Sequence, residues 1–303
     1  MFKRILVPLD GSKTAESALP YARTLAERLG ADIELLEVID VGEISGNASA
    51  ATAALLNDAR ARSRPDQYLA ETAKTFPGTS ARWRVEQGSA ASVIIDLAAE
   101  NKETLIIMAS HGRSGMQRWL LGSVTEKVLR GTSNPLLLVR ASEQISDGQA
   151  GFKSIVVPLD GSEAAELALK KALELARPMK AEIVLSRAYE LPATAYYRAD
   201  DYPASAAAFI PTRAELVEGM SREARDYLDD KVREIGDGVE VRAEILEGPA
   251  AERIIDLAES MTGSLVAICT RGHSGFRRWM LGSVTEKIVH YSHRPVLVVR
   301  ADE

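Results

Sequence analysis

Two short patterns in this 303-residue chain bring together residue types that can hold an anion. One is Asp10-Gly11-Ser12, which returns as Asp160-Gly161-Ser162. The other is Ser110-His111-Gly112-Arg113-Ser114-Gly115, followed past Trp119 by Leu121-Gly122-Ser123-Val124-Thr125. Its second occurrence is Thr270-Arg271-Gly272-His273-Ser274-Gly275, then Leu281-Gly282-Ser283-Val284-Thr285. Glycines let a backbone turn tightly and approach a ligand with no Cβ in the way. A Gly-Ser pair entering a helix presents unpaired amides and the positive end of the helix dipole to a phosphate. Ser123 and Ser283 could also cap their helices, so their structural and binding readings overlap. The carboxylates of Asp10 and Asp160 could accept from a ribose hydroxyl or an adenine amine, or could serve only as turn and cap residues.

Other chemistries find less support. There is no G-x-x-x-x-G-K-[ST] loop and no G-x-G-x-x-G fingerprint. Gly112-Arg113-Ser114-Gly115 is not a hydrolase elbow, because Met116 stands where the closing glycine belongs. His290 and His293 have no cysteine or carboxylate beside them in sequence to complete a metal site, and none is assigned. His111 is replaced by Arg271 in the second occurrence, which favours positive charge beside a phosphate over general-base chemistry. No catalytic residue is assigned. Trp119 and Trp279 read equally as packing or ligand-facing residues. Cys269, the single cysteine, excludes an intramolecular disulfide and reads as a small buried strand residue.

The elements that carry these loops form a tandem repeat. V-P-L-D-G-S at Val7–Ser12 returns at Val157–Ser162, and L-G-S-V-T-E-K at Leu121–Lys127 returns at Leu281–Lys287. The offset is 157 − 7 = 150 at the first match and 281 − 121 = 160 at the second, so the second copy carries ten extra residues. They fall around L-P-A-T-A-Y-Y-R-A-D-D-Y-P, where Tyr196, Tyr197, Tyr202 and Phe209 suggest either a surface element over the second site, a subunit contact, or a mobile loop. The domains are read as 1–141 and 152–303, joined by a polar, glycine-containing linker at 142–151. In the first copy Ile5–Leu9, Ile33–Val38, Arg82–Glu86, Leu105–Ala109 and Leu136–Arg140 read as strands. Thr14–Leu29, Ala54–Thr75, Ala90–Glu100 and Val124–Gly131 read as helices. Continuously apolar strands alternating with amphipathic helices predict an α/β fold, a doubly wound parallel sheet with helices on both faces. Ligands of such sheets sit beyond the carboxyl ends of the strands, where the two patterns lie. The last strands, Leu136–Arg140 and Val296–Arg300, are apolar edges, and the two copies are expected to pair through them.

Composition bounds the partners. A formal net charge of −6 disfavours nucleic acid and anionic membrane, and neither is expected. The apolar run Ile5–Leu9 is too short for a signal peptide, and no stretch reaches the ~20 apolar residues of a spanning helix. A soluble cytoplasmic protein is the expectation, and a homodimer stays open.

V-P-L-D-G-S, the loop S-H-G-R-S-G-x-x-R-W-L-L-G-S-V-T-E-K and the final N-P-L-L-L-V-R resemble the universal stress protein family over both copies. The resemblance implies five parallel strands per copy and, in the family's nucleotide-binding branch, ATP held through G-x-x-G-x9-G-[ST], with or without Mg2+. It places an adenine nucleotide against Pro8, Asp10, Val38, Ala109, His111, Gly112, Arg113, Ser114, Gly115, Gly122, Ser123, Val124 and Thr125. In the second copy it places one against Pro158, Asp160, Ala188, Cys269, Arg271, Gly272, His273, Ser274, Gly275, Gly282, Ser283, Val284 and Thr285. The first motif glycine is replaced by Ala109 and by Cys269, a departure that weighs most on the second copy. The function implied is that of an ATP-binding regulatory or stress-response protein with no or slow hydrolysis. Its rivals are an ATP-hydrolysing or adenylyl-transferring enzyme on the same fold, and a structural dimerisation protein with vestigial loops.

Overall fold

The structure, a computed structural model, describes residues 1–39, 59–110, 121–140, 150–196, 211–270 and 281–301. The first half runs β1 (Arg4–Leu9), α1 (Lys13–Glu16), α2 (Leu19–Leu29), β2 (Asp32–Ile39), α3 (Ala59–Ala73), β3 (Ala81–Gln87), α4 (Ala90–Ala99), β4 (Thr104–Ala109), α5 (Ser123–Gly131) and β5 (Leu136–Val139). The second half repeats it as β6 (Ser154–Pro158), α6 (Glu163–Met179), β7 (Glu182–Tyr189), a 3-10 turn at Ala193–Tyr196, α7 (Arg213–Ile235), β8 (Val241–Glu247), α8 (Ala250–Ser260), β9 (Ser264–Cys269), α9 (Ser283–Tyr291) and β10 (Val296–Val299).

The ten strands form one sheet in the order β3-β2-β1-β4-β5-β10-β9-β6-β7-β8. Every pairing within a half is parallel. The halves meet at an antiparallel seam, Leu138 opposite Val296, Leu137 opposite Leu297 and Leu136 opposite Val298. The seam removes two apolar edges that would otherwise be open to other chains. The outer strands β3 and β8 are instead only half-buried and carry charges such as Arg82, Arg84, Arg242 and Glu244.

Both faces are covered, which is why β4, β5, β9 and β10 are apolar and buried without alternation. On one face α2, α3, α6 and α7 pack over Ile5, Val7, Ile33, Leu35, Ile155 and Ile183. On the other α4, α5, α8 and α9 cover Leu6, Leu36, Ile106, Val156 and Val266. Tyr21 of α2 stacks on Phe152 at 5.5 Å between ring centres, so the halves also touch between α2 and the segment leading into β6.

The expected helix Thr14–Leu29 is two helices. Pro20 has no N–H to offer the Glu16 carbonyl, and the chain turns at Ser17 and Ala18 before α2 begins. The equivalent residue in the second copy is Lys170, and there α6 runs unbroken. Of the expected helix Ala54–Thr75, residues 54–58 lie outside the described residues, as do 142–149 of the linker.

One buried ionic cluster has no counterpart in the second half. Glu34 on β2 is fully buried and faces Arg4 at 3.2 Å, Arg84 at 2.7 Å and Arg82 at 3.4 Å. The Arg4 guanidinium also donates to the Leu97 and Ala98 carbonyls and to Thr104 Oγ1, tying β1 to the end of α4. The second copy has Ser154 and Val184 at the positions of Arg4 and Glu34.

Candidate functional site

In each half the central strands part at their carboxyl ends, where strand order reverses, and this parting is the candidate cleft. β1 pairs with β4 only from Arg4–Thr104 to Leu6–Ile106, but with β2 as far as Leu9–Glu37. β6 likewise leaves β9 after Val156–Val266 and follows β7 to Pro158–Ser186. Backbone groups alternate sides along a strand, and Leu6 belongs to the set that faces β4, so Pro8 falls in that set as well. Having no N–H, Pro8 cannot extend that ladder. Pro158 stands at the same place in β6. The prolines thus mark where the central strands part, which is where ligands of doubly wound sheets bind.

The aspartates bound this cleft. Asp10 Oδ1 accepts the Ser12 amide at 3.0 Å, and Asp160 Oδ1 accepts the Ser162 amide at 3.0 Å and its hydroxyl at 2.6 Å. Gly11 and Gly161 sit at φ of 72° and 86°, the left-handed region that these turns require of a glycine. Ser12 and Ser162 then cap α1 and α6 through their side chains. The turn-and-cap reading of D-G-S is therefore present in the structure, at the carboxyl ends of β1 and β6.

Val38 and Ala188 fall just past the point at which β1 and β6 leave β2 and β7. The Asp32 amide donates to Lys3 and the Leu159 amide donates to the Ser186 carbonyl, so even-numbered residues of β2 and β7 turn their backbone toward the central strand. By this alternation the Val38 and Ala188 carbonyls face the cleft.

At the other wall the Gly122 amide donates to the Ser110 carbonyl at 2.8 Å, and the Gly282 amide to the Thr270 carbonyl at 2.9 Å. Both glycines are N-caps, so Ser123 and Ser283 occupy the first helical position and do not cap, contrary to the expectation. With no side chain at the cap, the first-turn amides of Ser123, Val124 and Thr125 have no acceptor of the kind that Ser12 supplies to α1. The same holds for Ser283, Val284 and Thr285. Thr125 and Thr285 direct their hydroxyls away, donating to the Ala109 carbonyl at 3.1 Å and the Cys269 carbonyl at 2.7 Å. These bonds fix the helix start to the strand end and leave only the backbone of either threonine to meet a ligand.

Gly122 and Gly282 do not owe their identity to backbone strain. Their φ and ψ are −61° and 145°, and −65° and 147°, values that any residue adopts. A Cβ built on Gly282 would meet the nearest described atom, the Thr270 carbonyl oxygen, at 3.5 Å, an ordinary contact. Among the described residues nothing at Gly282 therefore excludes a side chain.

Ala109 and Cys269, which replace the first motif glycine, pair in register with Val139 and Val299 and pack into the core. Neither has a positive φ, so the replacement costs no strain. The Cys269 side chain is buried in the core. His111, Gly112, Arg113, Ser114, Gly115, Arg271, Gly272, His273, Ser274 and Gly275 lie outside the described residues, as do Tyr197, Tyr202 and Phe209. Among the described residues no cluster of three or more His, Cys, Asp and Glu is placed to hold a metal ion, and no helix is long and apolar enough to cross a membrane. His293 does have a carboxylate close by, Glu259 Oε1 at 2.7 Å from Nδ1, which sequence spacing did not reveal.

Two arginines escaped the sequence reading. Arg140, just past β5, donates to the Val289 and His290 carbonyls at 2.7 Å each and to that of Ser292 at 3.1 Å, closing the C-terminal end of α9 in the other half. Arg300, its repeat partner, donates to the Arg130 and Thr132 carbonyls at 2.9 Å each, at the end of α5. The signal was a basic residue kept at the same place after both last strands.

Comparison with known proteins agrees with this architecture. The model of the universal stress protein family matches residues 1–140 and again 151–300. A universal stress protein of Mycolicibacterium smegmatis is 24% identical over 98% of this chain and 96% of its own length. One from Methanocaldococcus jannaschii is 32% identical over 52% of this chain and 86% of its own. The crystal structure of a universal stress protein from Archaeoglobus fulgidus superposes with a TM-score of 0.69, at 20% identity and covering 98% of both chains. With both halves matched nearly from end to end, the chain belongs to the universal stress protein family.

Proposed function

We propose that each half binds an adenine nucleotide, ATP foremost, and that the protein acts as a nucleotide-binding regulator rather than as a catalyst. The observation that carries this reading is the pair of helix caps, Gly122 and Gly282, whose backbone would suit any residue and, at Gly282, has room for a Cβ. With no side-chain cap among the described residues, a phosphate at these first-turn amides would also meet the positive end of the helix. On the opposite wall the Val38 and Ala188 carbonyls would accept the adenine amine, and the Asp10 and Asp160 carboxylates the ribose hydroxyls. Bound ATP would supply phosphate charge at the helix ends and no chemistry of the protein's own.

Slow or absent hydrolysis follows from the same residues. Asp10 and Asp160 are the carboxylates common to both clefts, and each holds its own turn through the Ser12 and Ser162 amides. A carboxylate so engaged is a poor base for water. Equilibrium dialysis with ATP, followed by a phosphate-release assay on the same sample, tests the proposal. Nucleotide retained in proportion to protein with turnover below about one per second supports it. Faster turnover would instead favour an ATP-hydrolysing enzyme.

A further inference from the structure

We propose that the two nucleotide sites are coupled, each raising the other's affinity, through a closed ring of hydrogen bonds that runs across the seam. The inference rests on the nucleotide reading above and adds a regulatory property to it. The ring starts at Gly122, whose amide is held by the Ser110 carbonyl. The Ser110 hydroxyl accepts from Arg140 at 3.4 Å, and the same guanidinium grips the last carbonyls of α9. The other end of α9 is capped by Gly282, whose amide is held by the Thr270 carbonyl. The Thr270 amide donates to the Val299 carbonyl at 2.8 Å, and the next residue is Arg300, which grips the last carbonyls of α5. The first turn of α5 follows Gly122, where the ring closes.

Each site helix is therefore held at one end by its own phosphate cradle and at the other by an arginine anchored beside the cradle of the opposite half. The two helices also touch directly. Arg130, in the last turn of α5, reaches Glu286, four residues past Gly282 in α9, at 3.6 Å. A phosphate on the first turn of α5 fixes that helix along its length, because an α-helix moves as a rigid body. Its fixed last carbonyls hold Arg300, and Arg300 is covalently next to Val299 of β10, whose carbonyl holds the Thr270 amide while the Thr270 carbonyl holds that of Gly282. The second cradle is then ordered before its ligand arrives, which lowers the entropy that ligand must lose. Linkage requires the effect to be reciprocal.

Calorimetric titration of the full chain with ATP, and of the single-site variants Gly122→Val and Gly282→Val, measures the coupling. The remaining site of each single-site variant should bind at least about fivefold more weakly than the same site in the doubly occupied protein. Arg140→Gln and Arg300→Gln in the intact protein should produce a similar weakening. Added to a single-site variant, neither arginine change should weaken binding further. Arg140→Lys and Arg300→Lys, checked for native size by gel filtration, serve where the glutamine variants fold poorly. Equal affinities in the single-site and intact proteins, or an arginine effect that persists when one site is absent, overturn the coupling and leave the nucleotide reading standing. A wild-type chain that binds no ATP overturns both.

Discussion

Replacing Arg140 with alanine removes donors from three carbonyls at the end of α9, those of Val289, His290 and Ser292. These groups are orphans of the last helical turn, and with the seam packed around them water replaces the guanidinium poorly. The positive charge also sits at the negative end of the helix dipole. A hydrogen bond to a charged group contributes about 1.5–3 kcal/mol, and three that share one guanidinium do not add fully. A loss of about 3 kcal/mol is expected for Arg140→Ala. For Arg300→Ala, which frees the Arg130 and Thr132 carbonyls, at least about 2 kcal/mol is expected. Lysine at either position should recover less than half, because one ammonium cannot span carbonyls that a planar fork reaches together. Urea unfolding followed by far-UV circular dichroism measures these differences. A loss below about 0.5 kcal/mol for Arg140→Ala, the range of an ordinary surface substitution, would refute the clamp.

Three further outcomes follow from the packing. Glu34→Ala should destabilise by about 3 kcal/mol in urea unfolding, since it leaves the buried Arg4 charge with only the exposed Glu100 carboxylate at 3.6 Å, and the double replacement Arg4→Ser with Glu34→Val, as at Ser154 and Val184, should recover part of that loss. The Tyr68 hydroxyl donates to Glu16 at 3.0 Å, and burial together with that carboxylate pushes its pKa well above the usual 10.0. The folded chain keeps this proton after the unfolded chain releases it, so its contribution is complete below pH 10 and is lost as pH rises beyond it, a loss that Tyr68→Phe should diminish in stability measured from pH 9 to 11. Cys269, 2% exposed, should react with a thiol reagent slowly in the native protein and at once in urea, and fast labelling of native protein would contradict its place in the core.

Much of the fold was legible because the signals were redundant. Continuously apolar strands such as Leu105–Ala109 can only be buried on both faces, and the repeated V-P-L-D-G-S and L-G-S-V-T-E-K gave every element a second reading. The break at Pro20 was missed because the apolar spacing continues through it, while the lost hydrogen bond shows only when the helix ends are seen. The site was legible as loops but not as geometry. That Gly122, rather than Ser123, caps α5 depends on φ and ψ, which composition does not encode. The long-range partners were the least visible. Nothing near Arg140 in sequence announces carbonyls some 150 residues away, and the grouping of Glu34 with three arginines from two other strands depends on strand order.

The central claim, that bare helix starts at Gly122 and Gly282 hold nucleotide phosphates, is tested most directly by titrating ATP into the wild type and into the double variant Gly122→Val, Gly282→Val by calorimetry. The account predicts two ATP per wild-type chain and none in the double variant, with far-UV circular dichroism unchanged because the backbone at both positions suits valine. A wild type that takes up no ATP, or a folded double variant that still binds it with undiminished affinity, would contradict the account.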